Sequence, residues 1–218
     1  MFIGHFAVAF AAKKVAPKSS LGTLVIAAAF LDVVWPVLVL FGVERLRIVP
    51  GFTAINPFDF VHYPWSHSLL MTAVWALLFA LVYFAVRRDR VGAVWLGIVV
   101  ASHWVLDFVS HSPDMPLYPG GSERLGLGLW QSIPATFAVE GLMFAAGIAL
   151  YMQSTKAKDR IGTLAWWAFI ALLVALYIPG PWSPPPPSEN AVAIMGIVAL
   201  GIFGSWAYWI DRHRAIRI

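Results

Sequence analysis

Apolar residues run along this chain in long blocks, separated by short stretches rich in proline, glycine and charge. A hydrocarbon core of about 30 Å needs roughly 20 apolar residues as helix. Blocks near that length lie at Leu21–Phe41, Ser66–Val86, Val91–Val109, Gln131–Met152, Ile161–Pro179 and Ala191–Ile210. Phe2–Ala12 is equally apolar but only about half a span. It predicts either a tilted short helix or one packed inside a bundle. Helix breakers fall between the blocks: Pro17, Pro50 with Gly51, Pro57, the region from Pro113 to Gly121, and Pro179–Pro187. The Pro184–Pro187 run predicts a polyproline II linker. The pattern as a whole predicts an all-α, polytopic transmembrane bundle of six or seven helices, with no internal repeat. Residues 1–115 carry nearly all the intramembrane polar side chains, and residues 116–218 add further helices to the same membrane domain.

Composition agrees. Sixty per cent of the residues are apolar, 12% are charged and the mean hydropathy is +0.77, well outside the soluble-globular range. The net charge of +4 would suggest nucleic acid in a soluble protein, but here the cations sit between apolar blocks and read as topology signals. No nucleic-acid partner is expected. Lys13, Lys14, Lys18, Arg87, Arg88, Arg90, Lys156, Lys158, Arg160, Arg212, Arg214 and Arg217 fall on one side of the predicted bundle, against Arg45, Arg47 and Arg124 on the other. The positive-inside rule then predicts a multi-pass membrane protein with its C-terminus in the cytoplasm. The absence of cysteine excludes disulfides, thiolate ligands and cysteine nucleophiles.

Within the blocks the few ionisable residues cluster. Asp32 lies in the middle of the second block, His67 opens the next, and His103, Asp107 and His111 recur at i, i+4 and i+8. His5 sits in the short first block. A buried carboxylate or imidazole costs several kcal/mol in lipid unless paired, so such residues are candidates for function. At about 1.5 Å per residue, Asp32 and His103 both lie roughly 16 Å from the cytoplasmic ends of their spans. Four segments thus converge on one layer, open to the extracytoplasmic side. Imidazole nitrogens with carboxylate oxygens are the donor set of zinc and related divalent ions. A site short of one protein ligand keeps a water whose pKa falls toward neutrality.

At these residues the sequence resembles the YdjM-like family of bacterial membrane-bound, metal-dependent hydrolases. His5, Asp32, the element Trp65–Leu70 with its His67, and the His103/Asp107 pair carry the resemblance, over roughly the first 115 residues. More remotely, the order His, Asp, His, HxxxD is similar to the zinc framework of phospholipase C and P1-type nucleases, helical enzymes that cleave phosphoesters. The resemblance implies His5, Asp32, His67, His103 and Asp107 as metal ligands, with Asp107 bridging, for one or two divalent ions, zinc by preference. It departs from the family where Val33, Val34 and Trp35 follow Asp32 without a second acid.

Further residues complete the reading. Glu140, about nine residues inside its span, is a candidate catalytic acid, a partner for a metal-site histidine, or a structural hydrogen-bond acceptor. His111, at the helix exit, is a second candidate catalytic residue, supporting a ligand or contacting substrate rather than ligating, or else a plain surface residue. Asp59 and His62 are expected in a solvated loop, and Ser68 is a nucleophile only with a base beside it. The expected function is a membrane-embedded hydrolase of a lipid or small-molecule phosphoester, with membrane lipid as its surroundings. A proton- or cation-coupled carrier using the same residues is the alternative, and a metal-stabilised scaffold without turnover is a third.

Overall fold

The structure, a computed structural model, describes residues 1–217. Its helices are α1 (Ile3–Ala12), α2 (Leu21–Ala28), α3 (Phe30–Leu40), α4 (Pro64–His67), α5 (Leu69–Arg87), α6 (Arg90–Ser110), α7 (Ile133–Ser154), α8 (Arg160–Tyr177) and α9 (Glu189–Arg212). Helices α5 to α9 are each long and apolar enough to cross a membrane, and α2 with α3 together pass the same test as a pair bent by 57°, a sixth span if the pair counts as one. Most of these boundaries follow from local chemistry. Ser20, Ser68, Asp89, Ser132, Asp159 and Ser188 each precede a helix and accept a backbone N–H from its first turn. Ser68 is thereby held as the cap of α5, bonded to the Met71 N–H.

The ten-residue α1 is too short to cross alone, at about 15 Å. It is packed inside the bundle. Phe6 and Phe10 meet Phe144 of α7, Trp166 and Phe169 of α8 and Phe203 of α9, so α1 is apolar on nearly every side because it is covered on nearly every side. Gly147 lets α7 lie directly on α1: a Cβ there would strike the Ala7 backbone. Leu77, Leu81, Val82 and Val86 on α5 remain exposed, as a lipid-facing surface requires.

Three small antiparallel pairs join the helices. β1 (Arg45–Ile48) pairs with β2 (Phe58–His62), β3 (Met115–Pro116) with β4 (Arg124–Leu125), and β5 (Thr155–Ala157) with β6 (Arg214–Ile216). Asp59 and His62, expected in a loop, therefore lie on a strand. Asp59 bonds Arg47 across the pair and His62 is exposed.

Lys13, Arg87 and Arg214 line one cavity, so the basic ends of α1, α5 and α9 share one end of the bundle. Helix α5 begins two residues after His67 and ends at Arg87, which separates His67 from that end by about 27 Å of helix.

Candidate metal centre

Helix α6 supplies the backbone of the site. His103 and Asp107, one turn apart, point the same way, and the helix stops at Ser110 with His111 as its cap. Opposite them the bend at Ala29 turns Asp32 into the bundle from the first turn of α3. Pro36, four residues on, has no N–H to offer the Asp32 carbonyl. His67 closes the short α4, and His5 enters from α1.

These five side chains meet. His103 Nε2 is 3.0 Å from Asp107 Oδ2 and 3.7 Å from Asp32 Oδ2. His67 Nε2 is 3.5 Å from Asp32 Oδ1 and 3.8 Å from Asp107 Oδ2. His5 Nε2 is 3.1 Å from Asp107 Oδ1, and its ring stacks on that of His103 with centroids 3.8 Å apart. The Met1 amino group reaches the same corner and donates to Asp107 Oδ1 at 2.6 Å. His5, His67, His103 and Asp107 are buried, whereas the Asp32 side chain is 41% exposed and forms the open side. Two donor triads result, His5–His103–Asp107 and Asp32–His67–His103, each with its ligand atoms within 4.8 Å of one another.

The protons of two imidazoles are fixed by what lies behind them. His103 Nδ1 is 2.8 Å from the Ala28 carbonyl, which can only accept, so Nδ1 carries the hydrogen. His67 Nδ1 is 2.7 Å from Ser66 Oγ, whose own hydrogen goes to Glu44 Oε2 at 2.6 Å, so Nδ1 is again the donor. In their neutral forms both rings then aim an Nε2 lone pair at two aspartate carboxylates. His103 Nε2 is buried and, although 3.0 Å from Asp107 Oδ2, is not aligned for a hydrogen bond with any of the described residues. Four electron-rich groups facing one another repel unless a cation lies among them, and the donor set suits a divalent ion.

Glu44 is a residue the sequence reading did not reach. Buried between α3 and β1, it accepts the N–H groups of Trp65 and Ser66 on one oxygen and the Ser66 hydroxyl on the other. Burial still pushes its carboxyl up from the ordinary range. Tyr63 is a second such residue. Its hydroxyl donates to Asp114 Oδ1 at 2.6 Å, and His111 Nδ1 lies 3.0 Å from the same oxygen. Burial, with Asp114 beside it, pushes the Tyr63 phenol well up, so it stays a donor. The Tyr63 ring lies between His67 and His111, and Phe60 and Trp130 cover His111. Glu140 faces α1: its Oε2 accepts the N–H groups of Phe2 and Gly4 at 2.9 and 3.1 Å. It thus satisfies the donors at the start of the helix that carries His5.

A family model described as YdjM inner membrane protein matches residues 1–182, well beyond the 115 residues on which the sequence resemblance rests. No curated protein and no solved structure matches the chain, so the likeness to zinc phospholipases and P1-type nucleases gains no support from them. Several apolar spans agree with the family description, and the chain belongs to the YdjM inner membrane protein family.

Proposed function

We propose that this protein is a membrane-embedded, metal-dependent hydrolase that cleaves a phosphoester, on a lipid or lipid-linked phosphate, at the extracytoplasmic side. The observation that carries the reading is the pair of imidazoles, His67 and His103, locked with Nε2 toward Asp32 and Asp107. His5, Asp32, His67, His103 and Asp107 would hold one or two divalent ions, with zinc favoured by the nitrogen and carboxylate donors. Such an ion supplies Lewis acidity toward a phosphoryl oxygen and a water acidified toward neutrality.

The chain's own residues do the rest. Glu44, through Ser66, keeps the proton of His67 on the nitrogen away from the site. Asp114 does the same for His111, leaving the Nε2 of that imidazole as an acceptor for a water or a substrate hydroxyl. Glu140 fixes the first turn of α1 and so the position of His5. Asp32, the exposed member, marks the side from which a substrate enters. The orientation rests on the twelve cations gathered on one face of the span pattern, which puts the cluster away from the cytoplasm.

A carrier is less well supported. Between the cluster and the basic end the core contains Phe10, Leu24, Val25, Leu96 and Val100, which cannot relay protons. Metal analysis of the purified protein, with a panel of phosphomonoesters and diesters, tests the hydrolase reading. At least one ion per chain, with hydrolysis lost on chelation and restored by metal, is expected. Substoichiometric metal after incubation with zinc or manganese overturns it.

A further inference from the structure

A cavity of about 880 Å³ opens at the basic end of the bundle and reaches as far as Phe30, and none of the five candidate metal ligands lines it. One wall, along the lipid-facing side of α5, is apolar. Phe30 packs edge-on against Trp75 and Phe79, and Leu78, Val82 and Val86 continue that wall along α5. From Trp75 to Arg87 the wall runs about 18 Å along the helix. Its other wall is cationic: the buried Lys13 and Arg214 and, at the rim, the exposed Lys18 and Arg87 line it against one carboxylate, Asp211.

The four cations are not equivalent. Arg214 is committed to Thr155 and the Gly162 carbonyl, and lies over the rings of Tyr151 and Trp166. Lys13 is committed to Asp211 and the Ser19 carbonyl. Lys18 and Arg87, both exposed, make no hydrogen bond or ion pair among the described residues. A ligand that fits must therefore join an anion at the rim to an apolar body extending inward at membrane depth. A peptide in that position would place backbone N–H and C=O groups against the apolar wall without partners. An acyl chain has no such groups.

We propose that this cavity binds an anionic phospholipid, its headgroup phosphate between Lys18 and Arg87 and an acyl chain along Phe30, Trp75, Phe79 and Val82. The site is separate from the metal cluster and does not depend on the hydrolase reading. A zwitterionic lipid would bring its own cation to the same rim and bind less well.

Native mass spectrometry of the full chain, titrated with phosphatidylglycerol or phosphatidylcholine, tests this. One phosphatidylglycerol should bind in preference. The double variant Lys18→Gln/Arg87→Gln should lose roughly tenfold to thirtyfold in affinity for it, with the binding of phosphatidylcholine little changed. A control, Arg90→Gln/Lys156→Gln, removes two cations at the same basic end, at the start of α6 and in β5, that do not line the cavity, and should retain the preference. Val82→Trp, which fills the apolar wall, should weaken both lipids. Thermal unfolding without added lipid checks that each variant is folded. Equal affinity for the two lipids, an unchanged double variant, or an equal loss in the control would each overturn the proposal.

Discussion

Asp107 and Asp211 lie toward opposite ends of the same bundle, and their partners differ in kind. Asp211 meets Lys13, whose side-chain nitrogen also donates to the Ser19 carbonyl. Nothing further is needed there, and the arrangement reads as structure. Asp107 meets His5, His67 and His103, and in their neutral forms His67 and His103 each turn an Nε2 lone pair toward it. The Met1 amino group neutralises one oxygen, but the lone pairs and the Asp32 carboxylate remain opposed to one another. A polar cluster that satisfies itself stabilises a fold. One that leaves donors aimed at a common space is prepared for a ligand.

Asp107→Asn should produce the largest effect. Removing the carboxylate shared by three imidazoles should weaken divalent-ion binding by more than about a hundredfold, beyond the loss typical of an outer partner. Isothermal titration with zinc measures this, and near-normal affinity would end the distinction drawn between the two acids. Asp211→Asn is the converse. It strands a Lys13 side chain that is 4% exposed, and should cost about 3 kcal/mol of stability, read as a fall in unfolding temperature, with metal binding intact. Ser66→Ala cuts the link from His67 to Glu44. It should weaken metal binding about 10–100-fold while costing about 1 kcal/mol in stability. Last comes Arg47→Ala, which breaks an ion pair whose arginine side chain is 67% exposed. It should change stability by less than about 1 kcal/mol and leave metal affinity unchanged. A loss of metal like that of Ser66→Ala would make the β1–β2 hairpin part of the centre.

The spans and the donor types could be read in the sequence because their signals are local. Twenty apolar residues announce a crossing, and His103 with Asp107 announces one helical face. The bend between α2 and α3 could not be read. It occurs among Ala27, Ala28 and Ala29, residues that favour uninterrupted helix, and Pro36 lies well past it. Only the packed bundle shows that the Ala28 carbonyl is claimed by His103 on another helix. Glu44 was hidden for a similar reason. Beside Arg45 it looks like one more loop charge, and its partners Trp65 and Ser66 are about twenty residues away in sequence. The strands were missed because a window the length of a span averages over segments of two to five residues. Glu140 was recognised as an intramembrane acid, but its target, the N–H groups that open α1, depends on how α7 lies against α1.

The 57° bend has an electrostatic consequence. It starts a new helix within the hydrocarbon layer, and the aligned peptide dipoles of α3 bring about half a positive charge to the turn that holds Asp32. That field favours the Asp32 carboxylate and opposes any excess of positive charge beside it. With the Met1 amino group already set against Asp107, one divalent ion between the two acids would leave about one net positive charge. A second would add two more, facing a positive helix end in a medium of low permittivity. If the site holds metal and takes a phosphate, as proposed above, the negative charge of that group would restore the balance, and the broken helix would couple the number of cations held to the anion received.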